Sequence, residues 1–277
     1  MKLSLSRKCI HFPIHPLKSK KYCILFLIFS YFSGIGAGFL KEQIFAFSNE
    51  PTSARPSPVN QNSVTSIPQT ISCALPDLTL SSEGNWGLSF QEEGKTPVGN
   101  ASIQELASMD AYYAQDTSEK VLYLTFDAGY ENGNVARVLD TLKKEQVPGA
   151  FFILGHLIEA EPGLVKRMSE EGHLVCNHTY HHKDMSRITS EEAFTAELTS
   201  LENAYRELTG KEPAKFYRPP EGRFSKQNLE WAEKSGYSTI FWSFGYPDWD
   251  NAKQMSPAAA KEKILSNLHP GAVLLLH

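Results

Sequence analysis

From residue 121 onward the chain alternates short apolar runs with segments of helical spacing. The runs are 121–126 (VLYLTF), 149–154 (GAFFIL), 173–176 (HLVC), 215–217 (KFY), 239–242 (TIFW) and 272–276 (AVLLL). Between them apolar positions recur at helical spacing over 134–145, 163–171, 190–208, 227–235 and 257–268. Ser190, followed by acidic residues, and Ser256, followed by Pro257, read as helix starts. Gly172, Gly210, Gly236 and Gly271 read as helix ends. Strands that are continuously apolar and alternate with helices predict a parallel sheet covered on its outer face. The predicted class is α/β, with a barrel of β/α units ahead of an open doubly wound sheet.

Each strand hands over to a chemically useful residue. VLYLTF runs into Asp127, HLVC into Asn177-His178, and KFY into Arg218. TIFW leads within a few positions to Asp248-Trp249, and AVLLL ends at His277. In parallel α/β folds the C-terminal ends of the strands share one face, and that face carries the chemistry. One polar residue after one strand is ordinarily a turn residue; five in register predict a site.

His178 and His182 are spaced i, i+4, which predicts two imidazoles on one side of a helical turn, suited to one metal ion. Surface histidines reach the same spacing, and His181 between them stays open as a partner. With Asp127, the set suits metal-assisted hydrolysis, in which a carboxylate takes a proton from water. Arg218 is expected to pair with Asp127 and keep it ionised, its backbone fixed by Pro219-Pro220. His277 is the candidate general acid, with Asp248 holding its tautomer. Trp249 suits either a wall for a sugar ring or core packing. No Gly-x-Ser-x-Gly elbow and no cysteine with an evident base is present, which disfavours acyl-enzyme chemistry. The segment 129–133 (GYENG) lacks the lysine and glycine spacing of a phosphate loop.

Charge divides the chain. Six of its 27 basic side chains fall in residues 1–21, where no acidic group stands, leaving 21 basic against 31 acidic groups beyond. A body that acidic repels polyanions, which argues against nucleic-acid binding as the main task. The basic start runs into the uncharged segment 22–40 (YCILFLIFSYFSGIGAGFL), the layout of a secretory signal or, kept uncleaved, of a membrane anchor from Tyr22 to Leu40. Either way the remainder is expected outside the cytoplasm. Residues 49–72 are rich in Pro, Ser, Thr, Asn and Gln and read as a linker. Four cysteines are too few for a disulfide framework, and Cys73 and Cys176 are expected as separate thiols rather than a bonded pair.

The motifs Thr125-Phe126-Asp127-Ala128-Gly129, His178-Thr179-Tyr180-His181-His182, Arg218-Pro219-Pro220-Glu221-Gly222, Asp248-Trp249 and Leu274-Leu275-Leu276-His277 resemble the five ordered motifs of the polysaccharide deacetylases, the NodB-homology domain of carbohydrate esterase family 4. The resemblance covers about residues 120–277 and is closest to the sporulation-type N-acetylmuramic acid deacetylases that form muramic δ-lactam. Tyr130-Glu131-Asn132-Gly133, Asn85-Trp86-Gly87 and Asp110-Ala111-Tyr112-Tyr113 look like that branch. The resemblance implies an irregular (β/α) barrel with Asp127 as base, His178 and His182 as metal ligands and Arg218 orienting Asp127. It further implies Asp248 tuning the acid His277, Trp249 and Tyr130 against the substrate, and the Glu221 amide at the oxyanion.

Ala128 stands where typical members carry a metal-binding aspartate, so a divalent ion, zinc foremost, is expected to be held loosely. The sequence stops at His277, where relatives continue through another β/α unit, so the barrel is expected to lack its last unit and to leave residues 272–276 at an open edge. The expected organisation is a signal or anchor at 1–48, a flexible linker at 49–75, a family-specific preamble at 76–119 and the deacetylase domain at 120–277. The expected substrate is the glycan strand of peptidoglycan, acted on by a monomer that removes acetyl from N-acetylmuramic acid. The alternatives are an N-acetylglucosamine deacetylase acting on peptidoglycan or chitin-type chains, and a glycan-binding relic without catalysis.

Overall fold

The structure is a computed structural model that describes residues 84–277. The expected signal or anchor, the linker, the first preamble residues and Cys9, Cys23 and Cys73 lie outside the described residues. Among the described residues no helix is long and apolar enough to cross a membrane.

The preamble folds into short pieces: β1 (Gly84–Asn85), β2 (Leu88–Ser89), β3 (Val98–Gly99), α1 (Ile103–Ala107) and β4 (Ala111–Tyr112). Then come β5 (Leu122–Ala128), α2 (Asn134–Glu145), β6 (Ala150–Ile153), α3 (Gly155–Ala160), α4 (Pro162–Glu170) and β7 (Leu174–Asn177). The remainder is α5 (Glu191–Thr209), β8 (Ala214–Tyr217), β9 (Arg223–Phe224), α6 (Lys226–Lys234), β10 (Ser238–Ile240), α7 (Pro257–Ser266) and β11 (Ala272–Leu276). Ser190, Ser225 and Ser256 cap the helices they precede, each side chain accepting a backbone N–H three residues on. The predicted strands and helices are all present, within two residues at most boundaries.

Seven strands form one sheet in the order β11-β5-β6-β7-β8-β10-β4, every neighbouring pair parallel. The preamble therefore supplies a strand, β4, to the main sheet. Along β5 the side chains alternate. Leu124, Phe126 and Ala128 join the apolar layer shared with Leu139, Ile153 and Leu157, while Tyr123 faces the inner layer with Phe152, Cys176, Ile240 and Val273. Thr125 and Asp127 follow Tyr123 in register. Cys176 is buried and free.

β11 is not an open edge. All five of its residues are buried, and on the side away from β5 it bonds to the segment that continues β10. Ser243 N–H donates to the Val273 carbonyl over 2.9 Å, and Leu275 N–H to the Phe244 carbonyl over 2.8 Å. At the other edge Ala114, beyond β4, bridges Ala272. The sheet curls until its two edges meet, so closure satisfies the backbone groups that the sequence reading left exposed.

Candidate active site

Asp127 sits at the end of β5 on the inner face, and Arg218 follows β8 with no exposed surface. Arg218 Nη1 donates to Asp127 Oδ1 over 2.7 Å, Nε to the Ile240 carbonyl over 2.9 Å, and Nη2 to Thr125 Oγ1 over 2.9 Å. The guanidinium lies 4.1 Å from the centre of the Phe152 ring. A buried arginine is tolerable only when its fork is met by acceptors, and here two segments, β5 and β10, supply three of them. Burial pushes the Asp127 carboxyl upward, but Arg218, His178 and His277 outweigh it and hold it below the usual carboxylate range. Asp127 is thus ionised at neutral pH.

His178 follows β7. Its Nδ1–H donates to the Arg218 carbonyl over 2.9 Å, since a carbonyl can only accept, which leaves the Nε2 lone pair free 3.5 Å from Asp127 Oδ2. The ring centres of His178 and His182 are 5.1 Å apart. The predicted helical turn is absent. Thr179 and His182 have φ of 73° and 56°, in the left-handed region, so the two imidazoles meet through a tight loop. Left-handed φ at a β-branched threonine is strained and persists only when its surroundings over-determine it. Asn177 Oδ1 accepts the Thr179 N–H over 2.9 Å, and Thr179 Oγ1 accepts the His182 N–H over 3.0 Å. Glu197, on α5, accepts the His181 N–H over 3.1 Å, pairs with His181 Nδ1 at 3.0 Å and with Lys183 Nζ at 2.6 Å. His181 is thereby turned to Glu197, with 56% of its side chain exposed, and takes no part in the imidazole pair.

Burial pushes the His178 pKa down to about 4 and lowers that of His182. Both rings are therefore neutral near pH 7, the form that coordinates a cation. Among the described residues no three His, Cys, Asp or Glu side chains are gathered closely enough to hold a metal ion. The donor set fits a divalent ion held by two imidazoles, with Ala128 in the apolar layer and offering nothing.

The third group is His277. Asp248 Oδ1 meets its Nδ1 at 2.6 Å, and Asp248 Oδ2 accepts its backbone N–H over 2.9 Å. Burial lowers the His277 pKa, yet the Asp248 hydrogen bond and the charges of Asp127 and Asp248 raise it overall. Trp249 is 62% exposed and meets the His277 ring edge-on at 5.3 Å, so the core-packing reading falls. Tyr130 is 72% exposed and lies 4.4 Å from the His156 ring. Glu221 stands in the 220–222 turn with φ of 57°, its carboxylate 2.9 Å from Arg223, which also pairs with Asp184 of the histidine loop at 2.8 Å.

Residues 114–240 match the sequence profile described as polysaccharide deacetylase. Over 194 residues the chain is 40% identical to the peptidoglycan-N-acetylmuramic acid deacetylase PdaA of Bacillus subtilis, covering 70% of this chain and 73% of that protein. The chain belongs to the polysaccharide deacetylase family. A solved structure of Bacillus subtilis PdaA, a family 4 carbohydrate esterase, matches this deacetylase with a TM-score of 0.67, covering 70% of this chain and 82% of that one. A peptidoglycan-N-acetylglucosamine deacetylase of Bacillus cereus is 35% identical over 154 residues, 56% of this chain and 54% of that protein.

The fold of this deacetylase brings Asp127, Arg218, His178, His182, Asp248 and His277 together, while Tyr130 and Trp249 stand exposed on the same face. Sequence reasoning missed Thr125 and Glu197. Glu197 had a legible signal: it interrupts the apolar stripe Phe194, Leu198, Leu201 and Tyr205, where an acid must find partners.

Proposed function

We propose that the protein hydrolyses the acetamido group of N-acetylmuramic acid in peptidoglycan, releasing acetate and leaving the free amine that a muramic δ-lactam requires. One observation carries the reading: a carboxylate kept ionised by Arg218 shares a face with an imidazole whose hold on its proton Asp248 strengthens, in a chain 40% identical to PdaA. Asp127 takes a proton from the attacking water, whose oxygen bonds to the acetyl carbon. The Glu221 N–H faces the oxygen that gains charge. His277 then gives its proton to the departing nitrogen as the C–N bond breaks. Trp249 and Tyr130 offer faces to the sugar rings. His178 and His182 would hold a divalent ion, zinc foremost, which when bound polarises the amide carbonyl and acidifies a water. The missing carboxylate at Ala128 makes that hold weak.

A peptidoglycan substrate suits a protein outside the cytoplasm, and the reading extends to a monomer acting in sporulation, either anchored through Tyr22–Leu40 or secreted after cleavage. The deciding experiment is product analysis on isolated glycan strands, scoring muramic against glucosamine deacetylation. Free muramic amine or lactam that disappears with Asp127→Asn is the expected result. Glucosamine release alone would overturn the substrate, and no turnover in any condition would overturn the activity.

A further inference from the structure

The preamble residue Trp86 lies outside the segment matched by the family profile, which begins at 114, yet it is built into the wall of the site. Its backbone N–H donates to the Gly222 carbonyl over 2.8 Å, and its indole Nε1–H donates to the Trp242 carbonyl over 2.9 Å. Asn85 beside it pairs with Arg223, so β1 adds an antiparallel strand directly after the Glu221 turn. The indole is buried, stacked on Phe241 at 4.7 Å and 23°, with Tyr113 at 5.0 Å. Close fit is visible from the other side too. A Cβ on Gly222, at φ of 66°, would lie 2.6 Å from the Trp242 ring and 3.0 Å from Trp86 Cβ.

We propose that Trp86 is a positioning residue for the reaction, holding the Pro219–Gly222 turn so that the Glu221 amide is presented to the developing oxyanion. The turn needs such a hold. Glu221 sits at φ of 57° without being glycine, and within the turn the Gly222 N–H bonds to the Pro219 carbonyl. Trp86 adds a bond to Gly222 itself and ties the turn to Trp242, next to the Phe241 carbonyl that Arg218 also engages. A donor aimed at an oxyanion acts only when fixed before the reaction, so its supporting residue governs rate more than binding. The inference rests on the reading of the Glu221 amide as an oxyanion donor.

The test compares the full chain with Trp86→Leu, which keeps apolar bulk but loses the stack and the indole donor, and with Trp86→Phe, which loses chiefly the donor. Amide hydrogen exchange is followed at 221–224 and, as a control, at 178–182, and steady-state kinetics are run across pH. Exchange in the turn should be fastest in Trp86→Leu, intermediate in Trp86→Phe and slowest in the parent, with the control segment unmoved. Trp86→Leu should lose at least about tenfold and up to about 10²-fold in kcat, with KM and both limbs of the pH profile unchanged. Unchanged exchange in the turn in both variants overturns the proposal. Shifted pH limbs overturn it also, because Trp86 would then act through Asp127 or His277. Faster exchange with undiminished kcat leaves Trp86 holding the turn and overturns the Glu221 amide reading instead. Should Trp86→Leu not fold, the comparison of Trp86→Phe with the parent decides by the same criteria.

Discussion

The side chain of His178 is tied to the backbone of Arg218, the residue whose side chain holds Asp127. One arginine therefore sets both the ring orientation of a histidine and the charge of the carboxylate 3.5 Å from it. Replacing Arg218 by methionine leaves Asp127 as an uncompensated, nearly buried charge. We expect a loss of about 3–5 kcal/mol in stability, the usual cost of breaking a buried pair, read from urea unfolding at pH 7. A loss under 1 kcal/mol would show that Asp127 is solvated enough to stand alone.

Removing only the proton-accepting ability of that carboxylate is a separate test. Asp127→Asn keeps the shape and should cost about 10²–10⁴ in kcat, the common worth of a positioned base. Retention of most of the activity would remove Asp127 from the reaction.

The pH profile follows from the two shifted groups. His277 has its pKa raised, so its charged form is favoured by the fold. Its contribution to stability is complete below the unfolded value near 6.5 and is lost as pH rises through the higher folded value. Turnover should fall over the same alkaline window, because the acid is then deprotonated. Asp127 has its pKa lowered, so its contribution is present above the ordinary carboxylate range and is lost only as pH drops through the depressed folded value. Asp248→Asn removes the hydrogen bond that does most to raise His277, and the alkaline limb should move down. An unmoved limb would assign it to another group.

Metal binding should outlast ordinary histidine titration. Free imidazoles would release a cation below about pH 6.5, but burial keeps His178 neutral down to about 4. Calorimetry with zinc at pH 7 and pH 5.5 should show only a modest drop in affinity. A steep loss beginning near 6.5 would mean that both rings titrate as in water.

Ala128→Asp carries a two-sided expectation. Position 128 belongs to the apolar layer, so without metal the new carboxylate should destabilise the protein by at least about 1–3 kcal/mol. If the end of β5 lets that carboxylate turn inward, added zinc should raise the melting temperature more in the variant than in the parent. Equal zinc responses would show that strand alternation keeps position 128 away from the imidazoles.

Glu197→Gln tests the support beneath the histidine loop. One amide cannot replace a carboxylate that serves His181 and Lys183 together. Zinc affinity should fall about 10–100-fold, as it does when groups that orient ligands are removed. Unaltered affinity would leave the loop held by Asn177 and Thr179 alone.

Much of this was legible because strand ends in a parallel sheet share one face, so Asp127, Arg218 and His277 could be grouped from apolar runs alone. The helix over Asn134–Glu145 was legible at both ends from its apolar spacing. The shape of the histidine loop was not, because spacing of four matches a helical turn and nothing local announces left-handed φ at Thr179 or His182. β4 escaped for a different reason: two residues are too short for a period, and Ala111 and Tyr112 become a strand only beside β10. Closure of the sheet at Phe244 and Leu274 is a tertiary event that a linear pattern does not contain.

That closure has a kinetic side. Thr125 Oγ1 donates to the Leu274 carbonyl across 149 positions of sequence, and the two strands so joined carry Asp127 near the end of one and His277 just after the other. The entropy of closing so large a loop is met only when the strands dock, which makes this pairing a slow step in folding. Chains that have formed their helices but not yet docked β11 hold the base without the acid. On refolding, catalytic activity should therefore lag behind helical signal and return together with tertiary packing, making turnover a clock for the completion of the barrel.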